Sequence, residues 1–328
     1  MAVAFITGIT GQDGSYLAEF LLSKGYTVHG SVRRTSSIER SRLKQLFSDT
    51  NVYNHTLFLH YAELEDVTNL RRLLLKIQPD EFYHLAGQSH VGLSFEIPES
   101  TCEHTAMSTL RILEIIRDLP LHPKFFHASS SEIFGSPDVF PQNPETAYKP
   151  ISPYGCAKAF ATQMVRIYRE SFGLFCVNGI MYNHESPRRG ENFVTQKICR
   201  AAAAIKLGFQ RKLKMGDTSA ERDWGYARDY VEAMWLSLQK DAGDDYILAT
   251  GKKHKVQDIV DIAFSYVDLD WEDFIEKDPR FMRPADPKML VGDISKTRSK
   301  LGWEPKMSFK GMIEEMTQAA QDKLLETK

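Results

Sequence analysis

Tyr154 and Lys158 are four positions apart, a spacing that puts both side chains on one face of a helix. A lysine ammonium placed there can lower the pKa of the phenol, so that the phenolate takes a proton from a secondary alcohol while hydride leaves the carbon. A Tyr-x-x-x-Lys pair also arises by chance, and its members are then simply neighbours on a helix. The catalytic interpretation therefore depends on what surrounds the pair.

The run from Ser129 to Glu132 follows a predicted strand and comes about one element before the tyrosine. Ser130 and Ser131 could each hydrogen-bond the same alcohol oxygen, whereas we expect Ser129 to pack against the sheet. A simple alcohol dehydrogenase has no need of Glu132. Beside a new ketone, this carboxylate could remove the acidified neighbouring C–H proton and protonate a leaving hydroxyl one carbon further on. The alternative is a structural carboxylate that caps the next segment or pairs with a cation.

The N-terminus predicts the nucleotide-binding fold that such a site needs. The apolar run at residues 3–7 reads as a buried strand, and the glycines Gly8, Gly11 and Gly14 follow it before a helix that begins at about Ser15. Glycines let the backbone approach a pyrophosphate, and the N-terminus of the helix offers free N–H groups. The sequence therefore predicts a dinucleotide site directly after the first strand.

The residues that follow the second predicted strand indicate which dinucleotide binds. An NAD site is expected to have an acidic residue there for the ribose 2′-hydroxyl. This chain instead has Arg33-Arg34-Thr35-Ser36-Ser37. Two guanidinium groups and three hydroxyls suit a 2′-phosphate, so the sequence favours NADP over NAD.

Strands that alternate with helices predict an α/β protein with a doubly wound, parallel Rossmann sheet. We expect a smaller, mixed α/β substrate-binding domain on the C-terminal side. The predicted NADP-binding domain comprises residues 1–182, and residues 223–250 return to it. The predicted substrate domain comprises residues 183–222 and 251–328.

The composition limits which partners and which cellular location we expect for the protein. The 328 residues carry a formal net charge of -2, which argues against a nucleic-acid partner. We see no basic leader and no apolar run of about 20 residues, so we expect neither a signal peptide nor a membrane span. The cysteines lack Cys-x-x-Cys spacing, so we expect buried small side chains rather than disulfides or metal ligands, and a cytoplasmic location. They are Cys102, Cys156, Cys176 and Cys199.

Basic side chains collect in the second half of the chain, beside two amides. Such a group fits a nucleotide diphosphate, with the amides left for base and sugar. A solvated charged face is the alternative. The residues are Arg188, Arg189, Lys197, Arg222 and Arg283, together with Asn183 and Asn192.

Taken together, these motifs resemble the GDP-mannose 4,6-dehydratase family of extended short-chain dehydrogenases/reductases, from the first strand almost to the C-terminus. The Asn183–Gly190 run is specific to that family, whereas the Tyr-Lys pair is generic. The other matching runs are Gly8–Leu17, Val32–Arg34, Gly87–Val91, Ser131–Glu132, Tyr154–Lys158 and Arg222–Gly225.

The resemblance implies NADP, a GDP-mannose substrate, and a GDP-4-keto-6-deoxy-mannose product formed by internal hydride transfer. It also implies a homodimer or homotetramer with the Arg33–Arg34 loop near a subunit interface. The catalytic group that it implies is Ser130, Glu132, Tyr154 and Lys158. The cofactor contacts that it implies are Gly8, Thr10, Gly11, Gln12, Asp13, Gly14, Arg33, Arg34, Ser36, Glu63, Leu64, Leu85, Ala86, Gln88, Ser89, Tyr154, Lys158, His184 and Arg189. The substrate contacts are Ser89, Ser130, Glu132, Asn183, Asn192, Val194, Lys197, Arg222 and Arg283.

The chain also departs from the family pattern. Ser130 stands where a threonine is usual, Glu63 replaces an aspartate, and Ser100 replaces a tyrosine on the cofactor side. The last two departures suggest that external NADPH could exchange into the site and reduce the keto product. A 4-epimerase or a 4-reductase of the same fold is an alternative function. A non-catalytic NADP-sensing module is another, although a sensor has no need of a general base.

Overall fold

The computed structural model describes residues 1–34, 41–278 and 289–326. In chain order the strands are β1 (Val3–Thr7), β2 (Thr27–Val32), β3 (Leu57–Tyr61), β4 (Glu81–His84), β5 (Lys124–Ser130), β6 (Cys176–Met181), β7 (Asn183–Glu185), β8 (Leu213–Met215), β9 (Glu221–Tyr226), β10 (Asp245–Leu248), β11 (Lys253–Lys255), β12 (Ile275–Lys277) and β13 (Met289–Leu290). The α-helices are α1 (Gln12–Ser23), α2 (Lys44–Ser48), α3 (Val67–Ile77), α4 (Pro98–Cys102), α5 (Ser108–Arg117), α6 (Pro153–Phe172), α7 (Val194–Lys206), α8 (Ala227–Leu238), α9 (Val256–Tyr266), α10 (Ser295–Leu301) and α11 (Phe309–Glu326).

Seven strands form one parallel sheet in the order β10-β6-β5-β4-β1-β2-β3. The strand order reverses between β1 and β4, and such a switch point is where doubly wound sheets bind ligands. The central strands are almost entirely buried, as a sheet covered by helices on both faces requires. The predicted doubly wound α/β class is therefore confirmed.

A smaller part of the fold lies beyond β6. There β9 pairs with β7, β11 and β13, and β8 pairs with β12. Helices α7, α9 and α11 enclose a second apolar core around Trp224 and Phe264. Leu301 and Trp303 nevertheless pack into the core beneath the large sheet. The proposed domains, residues 1–182 with 223–250 and residues 183–222 with 251–328, stay a prediction.

Strand β9 forms although its sequence lacks the apolar run that marks a buried strand. Helix α5 is preceded by α4 and a π-helical turn (Glu103–Met107), and Pro98 suits the first turn of α4. One local expectation was wrong. Cys156 is exposed rather than buried, because it lies on the face of α6 opposite the core.

Among the described residues, no helix is both long and apolar enough to cross a lipid bilayer.

Asp245 joins the edge strand β10 to helix α6. Its carboxylate accepts hydrogen bonds from Arg166 Nε at 2.5 Å, Arg169 Nη1 at 2.9 Å and Asn178 Nδ2 at 2.9 Å. Burial alone would raise the pKa of Asp245, but the two arginines outweigh burial and lower it. This ion pair therefore contributes stability above the ordinary aspartate pKa, and the contribution is lost as the pH falls through the lowered value.

We predict that Asp245→Asn lowers the free energy of unfolding by about 3 kcal/mol near neutral pH, because it leaves two arginines without their buried carboxylate. Urea unfolding monitored by circular dichroism measures the loss. Asp244→Asn is the matched control: Asp244 pairs with Lys296 at 2.7 Å but is 40% exposed, so we expect a loss below about 1 kcal/mol. Equal losses of unfolding free energy in the two variants would contradict the stabilising role of the buried ion pair between Asp245 and the two arginines.

Candidate active site

The loops that carry the predicted chemistry leave the same edge of the large sheet. Parallel strands bring their carboxyl ends together, so β1, β4, β5 and β6 lead into one crevice. The glycine loop follows β1, the loop from Leu85 to Ser89 follows β4, Ser130 ends β5, and the Asn183–Gly190 run follows β6.

Two glycines shape the loop between β1 and α1. Gly8 has a φ of +74°, and a Cβ there would lie 2.9 Å from the Ala86 nitrogen. A Cβ on Gly14 would lie 2.3 Å from the Gly8 carbonyl oxygen. Gly11 precedes α1, and within the described chain no side chain caps that helix. A tight turn that ends in an uncapped helix N-terminus fits a pyrophosphate, so these residues suit a nicotinamide dinucleotide.

Thr7 and His84 support this loop from the buried side. Thr7 Oγ1 lies 2.8 Å from His84 Nδ1 and accepts hydrogen bonds from the backbone N–H groups of Leu85 at 3.2 Å and Ala86 at 3.3 Å. Burial lowers the pKa of His84 to about 3, so the imidazole is neutral. Sequence reasoning missed both residues, since neither belongs to a motif.

Gln12 and Asp13 tie the glycine loop to the segment after β6. Gln12 Nε2 donates to the His184 carbonyl oxygen at 3.0 Å, and Ser186 Oγ donates to Gln12 Oε1 at 2.7 Å. Asp13 Oδ2 lies 2.8 Å from His184 Nε2. Burial would raise the pKa of Asp13 and lower that of His184, but their mutual attraction outweighs burial and shifts both in the opposite direction. Their attraction therefore favours the charged form of both groups.

The remaining predicted cofactor residues differ in how much of their surface is exposed. Arg33 and Arg34 are exposed at the end of β2, whereas Ser36 lies outside the described residues. Glu63 and Ser89 are exposed as well. The partly buried residues of this set are Thr10, Leu64, Leu85, Ala86 and Gln88. Their contacts with a dinucleotide stay a prediction.

The predicted catalytic residues lie together at the end of β5. The Ser130 hydroxyl and the Glu132 carboxylate both lie close enough to the Tyr154 phenol to shift its pKa, which the hydroxyl lowers and the carboxylate raises. Ser130 Oγ also accepts a hydrogen bond from the Glu132 N–H at 3.2 Å. As expected, Ser129 faces away from the site, and its Oγ lies 2.5 Å from Thr162 Oγ1.

Lys158 corrects one expectation. The sequence argument made its ammonium the cause of a lowered Tyr154 pKa, but burial raises the pKa of Tyr154 to about 12. Lys158 Nζ lies 5.9 Å from the centre of the tyrosine ring and donates to the Ala128 carbonyl at 2.6 Å. Burial lowers the pKa of Lys158 itself to about 8. Ser130 and Arg189 lower the pKa of the phenol, but burial outweighs them.

The two arginines of the family-specific run point in different directions. Arg189 pairs with Glu185, whereas Arg188 Nη2 donates to Glu19 at 2.5 Å and its guanidinium stacks on Tyr16 at 4.1 Å. Helix α1 therefore supplies the partners of Arg188, and its contact with a diphosphate stays a prediction. Arg42, which sequence reasoning missed, lies between them and the glycine loop and donates to the Arg188 and Thr10 carbonyls at 2.7 and 3.2 Å.

The predicted substrate residues are spread over β7, α7 and β9. Asn183 is partly buried in β7, and Arg222 is buried in β9. Lys197 Nζ donates to the Lys214 carbonyl at 2.8 Å, and burial lowers the pKa of Lys197. Asn192 is exposed just before α7, where Val194 is the first residue. Arg283 lies outside the described residues.

Sequence comparisons identify close relatives. A sequence model of the family described as GDP-mannose 4,6 dehydratase matches residues 5–316. GDP-mannose 4,6 dehydratase 2 of Arabidopsis thaliana is 50% identical over 319 residues, which cover 96% of this chain and 85% of the relative. GDP-mannose 4,6-dehydratase of Yersinia enterocolitica is 46% identical over 345 residues, which cover 96% of this chain and 93% of the relative. GDP-mannose 4,6 dehydratase of Cricetulus griseus is 44% identical over 337 residues, which cover 97% of this chain and 91% of the relative.

Solved structures show the same fold at lower identity. UDP-glucuronic acid 4-epimerase from Bacillus cereus has a TM-score of 0.85 at 22% identity, with 98% of this chain and 99% of that chain covered. dTDP-glucose 4,6-dehydratase from Streptomyces venezuelae also has a TM-score of 0.85 at 22% identity, with 98% and 97% covered.

Proposed function

The chain belongs to the GDP-mannose 4,6-dehydratase family and is an enzyme, a nucleotide-sugar dehydratase, and we propose that it converts GDP-mannose into GDP-4-keto-6-deoxy-mannose and water. The observation that carries the chemistry is the grouping of Ser130 and Tyr154 with the Glu132 carboxylate, all close enough to one another to shift the Tyr154 pKa. A hydride-transfer site needs the first two groups, and loss of water needs the third.

Tyr154 and Ser130 act on the 4-hydroxyl of the sugar. Ser130 holds the hydroxyl oxygen, and Tyr154 takes its proton as the carbon becomes a ketone. The chemistry that a bound nicotinamide dinucleotide supplies is storage of the C4 hydride until it returns to C6. Lys158, with its ammonium directed at the Ala128 carbonyl, keeps a positive charge near the phenol.

Glu132 acts on the neighbouring carbons. The C4 ketone acidifies the C5–H bond, so the carboxylate removes that proton and passes it to the 6-hydroxyl, which leaves as water. C5 regains a proton as hydride reaches C6. The proton that Tyr154 took from the 4-hydroxyl equals in number the proton that C5 gains, so no net proton is taken up or released. Substrate and product therefore differ by one water, and the cofactor ends in its starting oxidation state.

A mass spectrum recorded after incubation with GDP-mannose tests this function. A dehydratase lowers the substrate mass by one water, a 4-epimerase leaves it unchanged, and a 4-reductase consumes NADPH. Intact dinucleotide binding without any turnover would favour the sensing module. Steady NADPH consumption with purified keto product would support a second activity, the reduction of that product. No NADPH consumption would exclude this activity.

NADP is the proposed dinucleotide, on the strength of the exposed Arg33 and Arg34 at the end of β2. We predict that replacing both with alanine lowers the preference for NADP over NAD by about ten- to a hundredfold, because charge-assisted hydrogen bonds to the 2′-phosphate are lost. Fluorescence titration with each dinucleotide measures the preference. Arg71→Ala, an exposed arginine that pairs with Asp118, is the control. An unchanged ratio in the double variant would remove the assignment to NADP.

The proposed assembly is a homodimer or homotetramer with the Arg33–Arg34 loop near a subunit interface, and light scattering of the purified protein gives its mass. A cytoplasmic location is proposed because all four cysteines are unpaired, which suits a reducing compartment.

A further inference from the structure

His104 joins two segments that follow strands on opposite sides of the crevice. It belongs to the π-helical turn after α4, and its Nε2 lies 2.5 Å from Oε1 of Glu65, in the loop after β3. The strand order reverses between β1 and β4, so β3 lies on one side of the switch point and β4 on the other. The contact, called here the His104–Glu65 bridge, is therefore tertiary, and the local sequence of neither segment specifies it.

The geometry of the bridge requires a charged imidazole. His104 Nδ1 lies 2.7 Å from the Ser100 carbonyl oxygen, which can only accept a hydrogen bond, and 3.3 Å from the Ser100 hydroxyl. Its Nε2 faces the Glu65 carboxylate, which is a second acceptor. Both ring nitrogens can donate at once only when the imidazole carries two protons. The Ser100 carbonyl thus orients the ring, and a charge-assisted hydrogen bond links it to Glu65.

The backbone of the same turn lies beside the loop after β4. A Cβ on Gly87 would lie 3.9 Å from the His104 carbonyl oxygen and 3.6 Å from Thr105 Oγ1. In α4, Thr101 Oγ1 accepts a hydrogen bond from Gln88 Nε2 at 3.2 Å. Turns of the π type are frequent at functional sites. This one contacts the loop after β3 through the side chain of His104 and lies beside the loop after β4 through its backbone.

These two loops carry predicted dinucleotide contacts. Glu63 and Leu64 directly precede Glu65, and the loop from Leu85 to Ser89 contains further predicted contacts. In a doubly wound fold the dinucleotide lies across the switch point, with its adenosine ribose near the end of β2. The His104–Glu65 bridge therefore fixes the spacing of two segments that a bound dinucleotide must contact at the same time.

We propose that His104 and Glu65 are positioning residues that hold the loops after β3 and β4 at the spacing a nicotinamide dinucleotide requires, and so slow its release. The proposal rests on the dehydratase function given above. In that reaction the hydride returns to the sugar, so the dinucleotide need not leave between turnovers. Slow release therefore retains the dinucleotide without limiting kcat, and neither residue takes part in the proton transfers.

A double-mutant cycle tests the bridge. His104→Ala and Glu65→Ala should each speed the release of NADPH by about two- to fivefold, the effect of losing a partly exposed ion pair. The double variant should release NADPH no faster than either single variant, because the same bond is lost in all three. Stopped-flow fluorescence after mixing with excess unlabelled NADP measures the release rate. His122→Ala, which removes an exposed histidine beyond the end of α5, is the matched control and should match the parent.

Turnover separates positioning from a general structural role. With saturating dinucleotide and GDP-mannose, kcat should stay at the parent value in all three variants, whereas the dinucleotide concentration that gives half-maximal rate should rise. Additive effects in the cycle would overturn the proposal, because the two side chains would then act independently. An unchanged release rate, or a fall in kcat at saturation, would overturn it as well. Failure of the parent to convert GDP-mannose would leave the release rates measurable and would count against the dehydratase function.

Discussion

Replacing Glu132 with glutamine is expected to abolish loss of water while dinucleotide and GDP-mannose still bind. Glutamine has the same size but cannot take the C5 proton or pass one to the 6-hydroxyl. General acid–base groups contribute about 10²- to 10⁴-fold, and we expect product formation to fall by that factor. The carboxylate lies in a short 3-10 turn directly after Ser130, so the substitution leaves the neighbouring hydroxyl in place.

The variant should also separate two steps that are normally coupled. Oxidation at C4 needs Ser130 and Tyr154 rather than Glu132, so the reduced nicotinamide should accumulate when GDP-mannose is added. Its near-ultraviolet absorbance measures this accumulation, and uptake of deuterium at C5 from heavy water, which should be lost, measures the elimination step. Glu145→Gln, an exposed glutamate in the loop that follows the same strand, is the control and should behave like the parent. Product formation at the parent rate in Glu132→Gln would show that another group removes the C5 proton.

Patterns that are local in sequence predicted most of the fold. The apolar run of β1, its glycines and the alternation of strands and helices sufficed for a doubly wound sheet, because each unit is specified within about thirty residues. Strand β9 is hard to recognise from the sequence because its first three residues, Glu221 to Asp223, are charged and it has no apolar run. The placement of Cys156 was wrong because its position two residues after Tyr154 turns it away from the helix face that carries the catalytic pair.

The composition of the candidate site was easier to predict than its electrostatics. Residue types identified Tyr154 and Lys158, but their pKa values depend on burial, which raises one and lowers the other. Arg188 and Arg189 are adjacent in sequence, yet only tertiary packing makes Glu19 the partner of one and Glu185 the partner of the other. A residue type indicates which charge is available, whereas its orientation follows from elements that are distant in the chain.

Tyr154→Phe is expected to remove the oxidation step itself, so that neither reduced nicotinamide nor product appears. Phenylalanine preserves the buried ring that packs at the start of α6 but lacks the hydroxyl that would take the proton. We expect kcat to fall by about 10³-fold or more, since without the base the 4-hydroxyl must release its proton to water. GDP-mannose and the dinucleotide should bind about as tightly as in the parent, which isothermal titration measures.

The pH dependence of kcat provides a control for the Tyr154→Phe prediction. In the parent, burial holds the Tyr154 pKa near 12, so activity should rise with pH as the phenol loses its proton, and Tyr154→Phe should abolish that limb. Tyr148→Phe is the matched variant, because burial also raises the pKa of Tyr148 to about 12, and its ring packs near Phe134 in the loop over the same sheet edge. It should keep the pH profile and the rate. If both variants lost activity alike, the loss would come from packing of the loop, and Tyr154 would not be the base.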